Sequence, residues 1–226
     1  MNMWQILVEY YDYFLRGTRT TVIISLLTVF LGFILGCIIA FMRLSRIKPL
    51  SWLSNIYTSV IRGTPLLVQL FIIMYSLDFI NYPDVKIWGV GIDRIIPCVV
   101  ALSMNSSAYV AEIIRSGIQA VDVGQSEAAS SMGMTKGQVM MKIVMPQAIK
   151  NILPAIGNEF MSMIKETSII QYFGISDLMY NNGIVVTRTY NPLPCYYISA
   201  LIYLALNLIV GKGVSLFEKR LKKSDR

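Results

Sequence analysis

The sequence predicts an all-α polytopic membrane protein, and three observations carry that expectation. Hydrophobic residues make up 55% of the 226 and charged residues only 15%, against about 25% charged in an ordinary soluble domain. The apolar residues gather into segments long enough to cross a hydrocarbon core of ~30 Å. The basic residues fall in short runs between those segments, as topology signals do. A formal charge of +7 would suit nucleic acid, but the chain has no basic patch interleaved with aromatics, so that partner class is set aside.

The whole chain, 1–226, reads as one transmembrane domain. Residues 1–17 predict an interfacial helix: Gln5, Glu9, Asp12 and Arg16 recur on one face, while Trp4, Tyr10, Tyr11, Tyr13 and Phe14 cover the rest. A signal peptide is disfavoured, because a basic n-region and a cleavage site are both missing. Five spans follow, over 21–42, 52–79, 95–118, 151–174 and 195–217. The first carries a Gly32, Gly36, Ala40 stripe suited to close packing, within the subunit or against another. The second contains Arg62-Gly63-Thr64-Pro65, where proline removes a backbone donor. The third holds Asn105, Ser106 and Ser107 at mid-depth and ends with Glu112 and Arg115, spaced to pair. The fourth is the least apolar, with Asn158, Glu159, Ser162, Lys165 and Glu166. The segments 81–94 and 176–194 read as polar connectors.

Five spans put the termini on opposite sides. With the amino terminus outside, the inner segments hold Arg43, Arg46, Lys48, Arg115, Lys136, Lys142, Lys150, Lys212, Lys219, Arg220, Lys222, Lys223 and Arg226. The outer ones hold only Arg16, Arg19, Lys86, Arg94 and Arg188. This asymmetry predicts a cytoplasmic carboxyl terminus and makes the loop 122–145 cytoplasmic.

That loop is the longest polar interruption, and its local chemistry predicts structure. Asp122 or Ser126 can cap a short helix that Gly133 ends in a left-handed conformation. Thr135 and Gln138 have capping-box spacing for a second helix, interrupted by Pro146. Two capped helices around a glycine make a stiff protrusion.

Chemistry of other kinds is missing from the sequence. It has no histidine, no G-x-x-x-x-G-K-[ST] phosphate loop, and no nucleophile-elbow or zinc pattern. Cys37, Cys98 and Cys195 lie far apart beside apolar stretches and read as packing residues. The chain is therefore read as a non-enzyme, with no catalytic residue and no metal site. What remains is buried polarity in three spans, which marks a solute path or paired structural groups.

These residues carry a resemblance. Glu127-Ala128-Ala129, then Gly133, Ile143 and Pro146, is similar to the E-A-A-x₃-G-x₉-I-x-L-P signature of ABC importer permeases, with Met145 at the usual leucine. Arg62–Leu70 (RGTPLLVQL), Ser103–Arg115 (SMNSSAYVAEIIR) and Lys165–Ser168 (KETS) narrow it to the polar amino-acid (histidine/glutamine/arginine/cystine-type) permeases. The resemblance implies a type I ABC importer permease fold in a bacterial cell membrane. It also implies a second permease subunit, homo- or heteromeric, two cytoplasmic ATPase subunits that use the ATP, and an extracytoplasmic amino-acid-binding protein. Glu127, Ala128, Ala129 and Gly133 would then form the ATPase-coupling segment, and no cofactor would be bound by this chain.

Arg62, Asn105, Ser107, Asn158, Glu159 and Ser162 are candidates for the substrate pathway. For Glu159 two readings stay open: a carboxylate lining the pathway, or an internal ion pair with Lys165 or Arg62. Arg62 and Pro65 shape either a gate or a static kink. Rival functions are an ABC permease for another small solute, a self-contained carrier or channel, and a structural scaffold.

Overall fold

The computed structural model describes residues 1–223, with side chains through Lys219. The side chains of Arg220, Lys222 and Lys223, and Arg226 as a whole, lie outside the described residues, so four of the inner cations rest on sequence alone. The chain is overwhelmingly helical, as the sequence predicts.

Its amino-terminal helix is shorter than 1–17. Helix α1 covers Met3–Glu9 behind a complete capping box from Asn2 to Gln5. The backbone leaves helical geometry at Tyr10, and α2 then runs unbroken over Tyr11–Leu44. Asp12 and Arg16, expected on the interfacial helix, instead pair as an i,i+4 couple at the start of α2.

Helix α2 packs lengthwise on α5, Ile92–Gln119. A Cβ at Gly32 would stand 2.8 Å from Ser106 Cβ, and one at Gly36 would stand 2.6 Å from Val110 Cβ. The small-residue stripe therefore works within the subunit. Residue numbers rise together along the contact, so the two helices run parallel. The start of α2 lies beside the start of α5, and Arg43 lies beside Glu112 at the other end.

The expected single span 52–79 is two helices. Helix α3, Lys48–Gly63, and α4, Leu66–Ser76, meet at 110° across Thr64 and Pro65. Proline fixes its own φ and drives the preceding residue to extended backbone. Thr64 at φ −122°, ψ 149° and Pro65 at ψ 134° are both extended, and this turns the chain.

The connector 81–94 holds a small antiparallel hairpin absent from the all-α expectation. Strands β1 (Lys86–Ile87) and β2 (Val90–Gly91) flank Trp88 and Gly89, both at positive φ as a primed hairpin turn requires.

After α5 come α6, Val123–Ser131, and α7, Lys136–Val139. Pro146 does not end the second helix. A π turn over Met140–Val144 leads straight into α8, Met145–Glu166. In the widened turn the Met145 N–H reaches the carbonyl of Met140, five residues back. The wider register relieves the clash of the proline ring with a carbonyl four residues earlier. A 3₁₀ stretch, Thr167–Phe173, extends the fourth segment to Gly174, whose φ of +71° stops it.

The connector 176–194 is also more structured than read. Helix α9, Leu178–Thr189, is capped by Asp177, and Leu178, Asn181, Asn182 and Val185 are buried. The last helix, α10, is Pro192–Lys223.

Among the described residues three helices, α2, α5 and α10, are long and apolar enough to cross a membrane, and the bent α3–α4 pair makes a fourth. Helix α8 falls short because Asn158, Glu159, Ser162 and Lys165 interrupt its apolar run. The core has three parts: one between α2, α4 and α5, one where α1, α9 and α10 meet, and one under α6 and α7.

Candidate functional site: a capped helical segment joined to a polar face

Asp122 caps α6 by accepting from the Gly124 N–H at 2.7 Å. Its far end closes by a paired motif. Gly133 donates to Ser130 O at 3.0 Å and Met134 donates to Ala129 O at 3.2 Å, with Gly133 at φ +84°. This is the Schellman arrangement, in which a left-handed residue lets two stray carbonyls be satisfied at once. Thr135 and Gln138 then form the reciprocal capping box that starts α7.

Within α6, Glu127 and Ala128 face outward, whereas Ala129 is buried against Val121, Val139, Val144, Ala148 and Ile152. Ala129 thus anchors the segment while Glu127 and Ala128 present it. Three outward apolar side chains escaped the sequence reading: Val123, Met132 and Met141 stand 68%, 85% and 69% exposed. Their signal was apolar residues off the buried face of a polar helix.

The helix that begins at Lys136 continues into α8 and so joins this segment to Glu159. There, the Glu159 carboxylate accepts from Ser106 Oγ on α5 at 3.0 Å. Neither Lys165 nor Arg62 makes an ion pair with it among the described residues. Asn158 is exposed and Ser162 half-buried on the same helix.

Arg62 lies elsewhere. Its guanidinium sits 3.5 Å from Glu112 and over the ring of Tyr109 at 5.4 Å. Glu112 also receives Arg43 from α2 at 2.6 Å and the expected Arg115 from its own helix. One carboxylate therefore gathers three guanidinia from three helices at one end of the bundle. The sequence showed only the i,i+3 partner.

Asn105 and Ser107 are buried and engaged. Asn105 Nδ2 donates to Gln69 Oε1 at 2.9 Å, and Ser107 Oγ lies 2.8 Å from the Tyr57 hydroxyl while donating to Met104 O. The six pathway candidates thus divide: Asn158, Glu159 and Ser162 share α8, Asn105 and Ser107 hold α5 to the bent pair, and Arg62 sits in the guanidinium cluster.

At the opposite end lie the hairpin and Asp177. Asp177 is fully buried; its Oδ1 caps α9 by accepting from Tyr180 N at 2.8 Å, while Oδ2 has no hydrogen-bond partner among the described residues. Burial pushes this carboxyl up to about 7, against the capping hydrogen bonds, which act to lower it. No group of three or more metal-ligating side chains occurs among the described residues.

The described residues thus form a bundle of long apolar helices that carries an outward-facing capped segment. The comparisons place it. Residues 14–223 match the model of the binding-protein-dependent transport system inner membrane component family, and the chain belongs to that family. It is 41% identical over 216 residues to the arginine transport system permease protein ArtQ of Bacillus subtilis (strain 168), covering 94% of both chains. It is 38% identical over 224 residues to the probable glutamine ABC transporter permease protein GlnM of the same organism, covering 99% of this chain and 100% of that one.

Among solved structures, it superposes with TM-score 0.86 and 45% identity on a chain of an amino acid ABC transporter crystallised with histidines, covering 95% and 96% of the two chains. A chain of the inward-facing MetNI methionine ABC transporter gives TM-score 0.73 at 15% identity over 93% and 97% of the chains, a likeness of fold alone. Membership makes the chain a multi-pass membrane permease subunit. It also implies ATPase and binding-protein partners.

Proposed function

We propose that this chain is the permease subunit of an ATP-driven importer of polar L-amino acids in a bacterial cell membrane. The observation that carries the reading is the unbroken helix from Lys136 to Glu166, which joins the capped segment to the helix bearing Glu159. The named relatives for arginine and glutamine and the amino acid transporter crystallised with histidines support the substrate class.

In this reading α8 is the fourth of five spans, its polar face sheltered by a second permease copy or paralogue, since such a face is costly against lipid. The end with Glu112 and α6 is cytoplasmic, the carboxyl terminus lies on that side, and the hairpin end with the amino terminus faces outward. That orientation follows the distribution of Lys and Arg. Two ATPase subunits bind and hydrolyse the ATP and seat on Glu127, Ala128 and the exposed methionines, with Gly133 and the buried Ala129 keeping the protrusion stiff. A binding protein delivers substrate to the outer end. No cofactor is held by the permease itself. Glu159, which makes no ion pair among the described residues, attracts the ammonium or a cationic side chain of the passing amino acid, with Asn158 and Ser162 beside it on the polar face.

The test uses the reconstituted complex. Glu127→Lys and Gly133→Pro should each abolish amino-acid-stimulated ATP hydrolysis with the complex still assembled, and wild-type stimulation in both would overturn the coupling assignment. Glu159→Gln should weaken uptake most for a cationic amino acid; equal uptake of every amino acid by the variant and the parent would return Glu159 to a structural role.

A further inference from the structure

The break before Pro65 leaves specific backbone groups without partners. In an unbroken helix the carbonyl of Ile61 would accept from the N–H of residue 65, which in proline does not exist. The carbonyl of Thr64 would accept from Val68, but the Val68 N–H goes to Pro65 O at 3.0 Å, as does that of Gln69 at 3.2 Å. The carbonyls of Ile61 and Thr64 thus lose their helical donors at the break, and a polar group left unpaired and shielded from water is costly.

Gln69 reaches back and serves both. Its Nε2 lies 2.6 Å from Ile61 O, 3.1 Å from Thr64 O and 2.8 Å from Thr64 Oγ1. Thr64 spends its own hydroxyl proton on Val60 O, so that oxygen is free to accept. The remaining atom of the Gln69 amide, Oε1, accepts from Asn105 on α5. Gln69 is only 7% exposed and Asn105 3% exposed. A single side chain therefore supplies the hydrogen that proline lacks and ties the break to the helix that also carries Tyr109 and Glu112.

We propose that Gln69 is a positioning residue for transport: its amide, held by Asn105, fixes the break as a rigid elbow and so sets where Arg62 meets Tyr109 and Glu112. The two arms of the bent pair then move as one body with α5. Pro65 is the site of a fixed corner, and opening and closing of the pathway occur elsewhere. The transport part of this proposal rests on the importer reading; the elbow itself does not.

The experiment places spin labels at Ile56 and Ile72, exposed on the two arms, in the full complex with one labelled copy per complex. The parent should give one narrow distance, the same with and without ATP. Gln69→Met keeps the length and removes the amide. It should broaden that distance and lower amino-acid-stimulated ATP hydrolysis per assembled complex by about tenfold or more, the scale of stranding buried polar groups. Gln69→Glu, acceptor-only when ionised, should do the same. Asn105→Ala should produce part of the effect and add nothing to Gln69→Met, because the two share one interaction.

A narrow, parental distance in Gln69→Met, or a parental distance that shifts with ATP, overturns the proposal. A purely structural role would instead lower yield while leaving distance and per-complex rate unchanged. If Gln69→Met fails to assemble, Asn105→Ser, which shortens the tether, decides by the same two readouts. A parent complex that no amino acid stimulates would count against the importer reading, with the distance still deciding the elbow.

Discussion

Pro65 and Pro146 pose the same difficulty to the helices that contain them, and the chain answers in opposite ways. At Pro65 the helix stops, two residues go extended, and the axis turns by 110°. At Pro146 it widens into a π turn and stays helical. Each is attended by a glutamine whose amide donates to backbone: Gln69 to Ile61 and Thr64, Gln147 to Ile143 at 3.0 Å. The difference lies in what the neighbours allow. Thr64, β-branched and directly before proline, is already biased to extended backbone. Before Pro146 the run Met140–Val144 has no glycine, and it absorbs one extra residue while every φ/ψ given for its flanks stays helical. One proline makes a corner, the other leaves the helix uninterrupted.

Three experiments break or sharpen this contrast. The largest effect is expected from deleting Met141. Removing one residue abolishes the π register and drives the Pro146 ring against the carbonyl four residues back, at a cost of about 3 kcal/mol. Amino-acid-stimulated ATP hydrolysis should vanish. Full stimulation in the deletion would show that the π turn is not needed.

Glu112→Gln comes next. It leaves three guanidinia without their carboxylate where Arg62 leaves the corner. The groups are partly exposed, so solvent screening holds the loss to about 1–2 kcal/mol, below that of a fully buried pair. The thermal midpoint of the purified protein should fall by several degrees, and an unchanged midpoint would mean the corner is held without the cluster.

The smallest effect belongs to a third interruption, Gly174 to Asp177, where a buried carboxyl rather than a glutamine closes the gap. Its folded pKa, about 7, lies above the ordinary carboxyl value of 3.8. The folded state therefore holds a proton that the unfolded chain has lost, and stability falls as pH rises from about 4 to about 7. Asp177→Asn keeps a good cap and should flatten that slope, raising the thermal midpoint at pH 7 relative to the parent. Parallel pH profiles in the two proteins would remove the protonated carboxyl.

The parts legible in the sequence are those decided by near neighbours. Gly133, the Thr135–Gln138 box and the Asp122 cap are complete within four residues, and all three form as read. Pro65 announced a break, but not its angle, nor that Gln69 would serve its carbonyls while held by Asn105, 36 positions further on. Likewise Glu112 showed its i,i+3 partner and hid Arg43, 69 positions away. Helix α9 was missed because two of its buried side chains are Asn181 and Asn182. Polar residues facing inward have the composition of a loop, and only tertiary packing reveals otherwise. Pro146 misled for a local reason: proline is a helix stop unless a π turn makes room for it.

The unbroken helix from Lys136 to Glu166 has a mechanical property beyond stiffness. At 1.5 Å per residue it is about 46 Å long, and a hydrogen-bonded rod of that length carries torsion as well as thrust. In the importer reading proposed above, a partner that rolls α7 about its own axis would swing Asn158, Glu159 and Ser162 sideways. The polar face can then be presented or withdrawn like a key turned in a lock.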